Sequence, residues 1–158
     1  MAPMTPQNLH RGAAALEMLT WTLLIGAMIL RGVGGADLVS AAGPIHGFGF
    51  LCFVALTIIL WTNNRWPAGV GIAGLAVSLI PFAALPFSIW ADRRGHLDGD
   101  WRFRDRAEEP RSLPDKVLAQ LVRRPVRTVL IILVLIAVVF TALLLIGQPY
   151  DPEAIPGN

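Results

Sequence analysis

GPIHGFGFLCFVALTIILWTNNRWPAGVGIAGLAVSLIPFAALPFSIW, residues 43–90, decides the fold. Two apolar runs meet at a short polar turn, Thr62 to Trp66. A helix needs about 20 apolar residues to cross roughly 30 Å of hydrocarbon. Both runs are long enough, so the stretch reads as a hairpin of two membrane spans. Trp61 and Trp66 flank Asn63, Asn64 and Arg65, as expected where indole rings meet a bilayer interface. The first run carries His46 among Gly43, Gly47 and Gly49; the second carries Pro81-Phe82 and Pro86-Phe87. A proline inside a helix removes a backbone hydrogen bond, so this run is expected to be kinked or broken at Pro81/Pro86.

Working outward, two more apolar runs appear, at about 13–30 and 125–147. The expected fold is therefore all-α, a polytopic membrane bundle of four transmembrane helices. Its expected divisions are a polar N-terminus at 1–12, a three-span core at 13–94, a basic loop at 95–124, the fourth span, and an irregular tail at 148–158. Within the loop, Ser112-Leu113-Pro114-Asp115 has the form of a helix start. Val117, Leu118, Leu121 and Val122 then share one face, which predicts a surface helix at about 113–124. A cleaved signal peptide is the rival reading of the first run. Glu17 within it and the lack of a small-residue cleavage pattern favour a span.

The 158 residues are 54% hydrophobic and 15% charged, against about a quarter charged in soluble domains. Spans and one polar loop account for nearly all of them, leaving no separate soluble catalytic domain. Cys52 is the one cysteine, which excludes an intramolecular disulfide. The net charge of +2 is too small to suggest nucleic acid. Residues 91–124 hold nine of the thirteen Lys and Arg residues. With four spans, that loop faces the cytoplasm and both termini face outward, since basic loops resist translocation. The expected location is the inner (plasma) membrane.

Few residues carry chemistry. Glu17 is ionisable within a span, which makes it a functional candidate by default; the plainer reading has it near the span end, bonded to water, Arg11 or a neighbouring helix. His46 can bridge helices or titrate near neutrality. With these span boundaries the two lie on the order of 10–15 Å apart along the membrane normal at 1.5 Å per residue, too far for a direct pair. Residues 69–74, GVGIAG, match a dinucleotide fingerprint but lie in a span with no strand before them, so they read as a close-packing face. His96, Asp98 and Asp100 match no strong ligand pattern. No catalytic residue, cofactor site or metal site is expected.

Arg11 with Glu17, Gly43-x-x-His46-Gly47, Arg65-Trp66, the run Ser78 to Phe82, and Trp90 together resemble the DUF3817 family of small bacterial integral membrane proteins, over about residues 10–94. The resemblance implies three spans and no assigned activity. Glu17, His46, Pro81 and Phe82 match the family's pattern, and with Gly47 and Trp90 they are the candidate functional or packing positions. Ala83 stands where the family usually has glycine. Ser88 and Ile89 stand where it tends to have an acid. The fourth span reads as an addition to that core. The expected function is a non-enzymatic accessory, structural or assembly subunit of a larger membrane complex, in respiratory or transport machinery, with membrane lipids, that complex or further copies of itself as partners. The alternative is a small oligomeric transporter or channel with Glu17 and His46 in a polar path.

Overall fold

A computed structural model describes residues 5–105 and 108–146. All elements among them are helical: α1 Pro6–Gly32, α2 Val39–Asn64, α3 Ala68–Ala76 with a 3-10 turn at Val77–Leu79, α4 Ala84–Arg93, α5 Leu113–Arg123 and α6 Pro125–Ile146. The chain is an all-α membrane bundle. Three helices are long and apolar enough to cross a bilayer, namely Pro6–Gly32, Val39–Asn63 and Pro125–Leu143.

α1 begins earlier than its apolar run. The Thr5 hydroxyl accepts from the Asn8 N–H at 3.2 Å, and Pro6 fills the first turn, where its missing N–H costs nothing. α1 and α2 then pack along each other. Gly49 makes this close: a Cβ there would stand 3.0 Å from the Thr20 hydroxyl oxygen. α2 ends at Arg65, which adopts φ 51°, and the Trp66 N–H returns to the Trp61 carbonyl.

The break in the third apolar run goes further than a kink. α3 runs back along α2, with Gly71 against Trp61 and Gly74 against Thr57. Ile80 is extended and Phe82 takes φ 64°, which reverses the chain at Pro81. α4 then returns the way α3 came. Ala84 packs with Ala14 and Phe53, and Ala91 with Leu60 and Trp66. Pro86 falls in the first turn of α4 and breaks nothing. At 1.5 Å per residue the two arms are roughly 18 and 15 Å long, short of the ~30 Å hydrocarbon. The run is a re-entrant hairpin that enters and leaves at one end of the bundle.

That geometry corrects the expected topology. The 62–66 turn is not opposite the 91–124 loop but bonded to it. Asn64 donates to the Asp98 carbonyl at 3.0 Å, the Arg102 N–H donates to Asn63 Oδ1 at 2.9 Å, and the Trp66 indole donates to the His96 carbonyl. Trp66 is thereby buried rather than interfacial. The start of α1 lies at the same end, because Arg11 pairs with Asp92 at the end of α4. α6 starts beside Leu56 and Ile59 and carries Phe140 to Gly47, so it runs away from this end. The N-terminal end of α1 and the basic loop share a side, and α6 ends on the other. Because the third run turns back, the start of α1 lies beside the loop rather than opposite it, and the end of α6 lies at the other end of the bundle. The 148–158 tail lies outside the described residues.

At the basic end, Arg102 ties the loop together. Its guanidinium pairs with Asp115 at 3.0 Å, donates to the Thr62 carbonyl at 3.2 Å and lies 4.5 Å from the Phe103 ring centre. α5, capped by Ser112 on the Asp115 N–H, buries Leu118 and Ala119 against Phe103. Asp115 feels some desolvation, which raises its pKa. The hydrogen bonds from Ser112 and Arg102 and the Arg102 charge outweigh that and hold its carboxyl below the usual carboxylate range.

Candidate functional site: a buried polar strip along α1

His10, Ala14, Glu17 and Thr20 follow helical spacing and so share one face of α1. All four are buried. This face meets α2 at Gly49 and Phe53, and α4 at Ala84 and Ser88.

At the basic end of the strip, His10 Nδ1 lies 2.8 Å from the Ser88 hydroxyl. The ring packs against Phe53, Trp66 and Phe87, with centres 5.4, 5.8 and 6.1 Å away. Beyond it, Gln7 and Arg11 both donate to Asp92. α4 is thus fastened to α1 by two polar contacts one turn apart, which suits a half-helix that cannot cross the bilayer alone. In lipid, interrupted backbone is tolerated where protein surrounds it.

At the other end, Thr20 joins two helices. Its hydroxyl donates to the Glu17 carbonyl at 3.0 Å, and its oxygen lies 3.2 Å from His46 Nδ1. Since the hydroxyl proton is engaged, the imidazole donates here and carries its proton on Nδ1. The centres of the His46 and Trp21 rings also lie 4.2 Å apart, with their planes tilted by 48°.

Glu17 sits between these two anchors. It is fully buried; neither carboxylate oxygen makes a hydrogen bond of good geometry, and the Trp21 indole and the Thr20 hydroxyl are the donors that face it. The indole nitrogen of Trp21, one turn on, is also without such a bond, as are His10 Nε2 and the Thr57 hydroxyl. α4 begins without a side-chain cap at Ala84, which packs on Ala14. The first N–H groups of α4 therefore end about one helical turn short of Glu17 along α1. A helix N-terminus favours negative charge nearby. The strip thus sets the Glu17 carboxyl between His10 and Thr20, and Thr20 joins the strip to His46 on α2.

The candidate residues divide accordingly. Glu17 and His46 are not paired directly; Thr20 bonds both His46 and the main-chain carbonyl of Glu17. α1 starts at Pro6, so Glu17 lies well inside the helix and not near its end. Arg11 pairs with Asp92 instead of Glu17. Gly47 is a packing position, since a Cβ there would lie 3.4 Å from the Phe140 ring. Pro81 and Phe82 form the exposed hairpin tip. Trp90 lies at the basic end, between Phe87 and His96. Among the described residues, no three His, Cys, Asp or Glu side chains converge on a metal position. His10, Ser88 and Asp92 were not expected. The Thr5-Pro6 pair was the available signal, because it starts α1 early enough to bring His10 inside the bundle.

Comparison with known proteins places this core in context. The profile of a domain of unknown function, DUF3817, matches residues 7–93. A Streptomyces coelicolor chain named only as a membrane protein, SCO5905, is 31% identical over 87 residues, which are 53% of this chain and 10% of that one. This chain thus spans about a tenth of the length of that relative. No solved structure matches.

Proposed function

Because the chain belongs to the DUF3817 family, a domain without an assigned activity, we propose that it is a non-enzymatic membrane module that serves as an accessory or assembly subunit of a larger membrane protein complex. One observation supports this reading most. In the Streptomyces relative the matching segment is a small part of a much longer membrane chain. A module that elsewhere is joined to a larger membrane protein fits a role beside one here. Mild detergent extraction followed by mass spectrometry of co-purifying chains tests the proposal. A larger membrane protein at fixed stoichiometry is expected. Recovery of this chain alone, or only with further copies of itself, would overturn it.

The proposed location is the plasma membrane, with the basic end in the cytoplasm. Of thirteen Lys and Arg residues, Arg106 lies outside the described residues. Eleven of the remaining twelve belong to the basic end, and Arg31 alone to the other. Such asymmetry favours a cytoplasmic basic end. The start of α1 would then be inside and the end of α6 outside. A periplasmic reporter enzyme fused after residue 100 should be inactive; activity there would reverse the orientation.

A second reading rests on Glu17. Its buried carboxyl in the membrane interior, without a hydrogen bond of good geometry, at a broken helix, is the arrangement by which transporters hold protons or cations. Under it, copies of the chain assemble into a proton or cation pathway. Purified chain in liposomes should then carry a flux that Glu17→Gln abolishes. Equal flux in the variant would exclude it.

A further inference from the structure

A cavity of about 510 Å³ lies at the basic end between the α1–α2 pair and the start of α6. Leu9, Leu56, Ile59, Leu121 and Val129 give it an apolar wall, and Arg104 is its one charged lining residue. Its volume falls within the roughly 300–1,000 Å³ of sites that bury small apolar ligands. α1, α2 and α6 are the three membrane-crossing helices, so the cavity lies where bilayer lipid surrounds the protein. Two further arginines adjoin it in sequence. Arg124 precedes the lining Pro125, and Arg127 precedes the lining Thr128. Arg104, Arg124 and Arg127 are all exposed. Among the described residues none of them pairs with a carboxylate, whereas Arg102 nearby is paired twice.

We propose that this cavity is a binding site for an anionic phospholipid of the surrounding bilayer, with an acyl chain against Leu56 and Ile59 and the phosphate at Arg104, Arg124 and Arg127. An apolar slot with Arg104 in its wall, and with Arg124 and Arg127 next to lining residues in sequence, complements such a lipid at both ends. Basic pockets between spans take anionic headgroups for the same reason. A helix from another protein would fill the apolar wall but leave the three charges unanswered.

Native mass spectrometry of the intact chain in mild detergent, with equal phosphatidylglycerol and phosphatidylcholine, tests this. One phosphatidylglycerol should be retained in preference to phosphatidylcholine. Arg104→Gln should lower that preference about fivefold, the factor one basic residue contributes at an anionic surface. Arg104→Lys should keep most of it. Val129→Trp, at a position already half exposed, should fill the slot and release the lipid; Ile59→Phe serves if that variant does not fold. Equal retention of the two lipids by the wild type overturns the proposal. So does an unchanged preference in Arg104→Gln, or retention that a folded slot-filling variant leaves intact. Occupation by a co-purifying peptide in place of lipid overturns it as well.

Discussion

Replacing Glu17 with methionine should make the protein more stable. The carboxyl is fully buried, and neither oxygen makes a hydrogen bond of good geometry, although the Trp21 indole and the Thr20 hydroxyl face it. A buried polar group left without a hydrogen bond costs about 1–3 kcal/mol in folded proteins. Methionine is of similar length, unbranched and adaptable, so it can occupy the same space between α1, α2 and α4 without that cost. The expected gain is therefore about 1–3 kcal/mol. A chain of this size shifts by about 2–4 °C per kcal/mol, so the midpoint should rise by roughly 2–12 °C. Thermal unfolding in detergent, followed by far-ultraviolet circular dichroism, reads this directly. Glu17→Gln keeps a polar head in the same position and should gain less. A loss of more than about 1.5 kcal/mol in Glu17→Met, larger than a volume-conserving swap usually gives, would refute the reasoning. It would mean that the carboxyl holds the helices together. A gain would mean that Glu17 is carried at the expense of the fold, which is what a functional acid in a bilayer implies.

Other outcomes follow from the packing and the loop. Gly71→Ala would place a methyl 2.0 Å from the Trp61 ring, and overpacking of this kind costs about 1–3 kcal/mol; a lower melting midpoint checks it, and an unchanged one contradicts the close approach of α3 to α2. Arg102→Ala removes the partner of Asp115 and the donor to Thr62; limited proteolysis should cut the 94–111 segment faster, and an unaltered cleavage rate counts against its role as a tie. The Asp115 contact also sets a pH dependence. Its folded pKa is lowered, so its contribution is complete above the ordinary value of 3.8 and is lost as the pH falls through the lower folded value. Proteolysis of the same segment should be constant from neutrality down to that range and rise below it. A rise already near pH 6 would point to another group.

Much of this fold is legible in the residues, and the exceptions have identifiable causes. Apolar length correctly marks α1, α2 and α6, because neither Glu17 in α1 nor Pro44 near the start of α2 breaks the helix. It misleads over Pro67 to Trp90, where the number of apolar residues suggests a crossing. The deciding feature is local: Phe82 adopts a positive φ just after Pro81, and the chain turns back. Phe82 is not a glycine, so its residue type gives no sign of this. One crossing fewer changes the parity between the start of α1 and the loop, so the start of α1 and the 62–66 turn fall beside the loop instead of opposite it. The basic residues of α1 and the loop then fall on the same side, a sharper asymmetry than four crossings would give. The candidate site was half visible. Glu17 and His46 stand out by chemistry alone. Their link through Thr20, and the clasp of His10 with Ser88, depend on how far α1 extends toward its N-terminus. Apolarity sets that limit at Ala13, whereas the Thr5 cap sets it at Pro6.

The re-entrant hairpin and the shared side of the 62–66 turn and the basic loop can be tested together. Single cysteines at Asn64, Asp100 and Asp37, each in a Cys52→Ser background, would be exposed to a membrane-impermeant maleimide in intact cells. Asn64→Cys and Asp100→Cys should both resist labelling until the membrane is opened, while Asp37→Cys should label at once. Labelling of Asn64→Cys with protection of Asp100→Cys would mean that the third apolar run crosses the bilayer, and the account would be wrong at its centre.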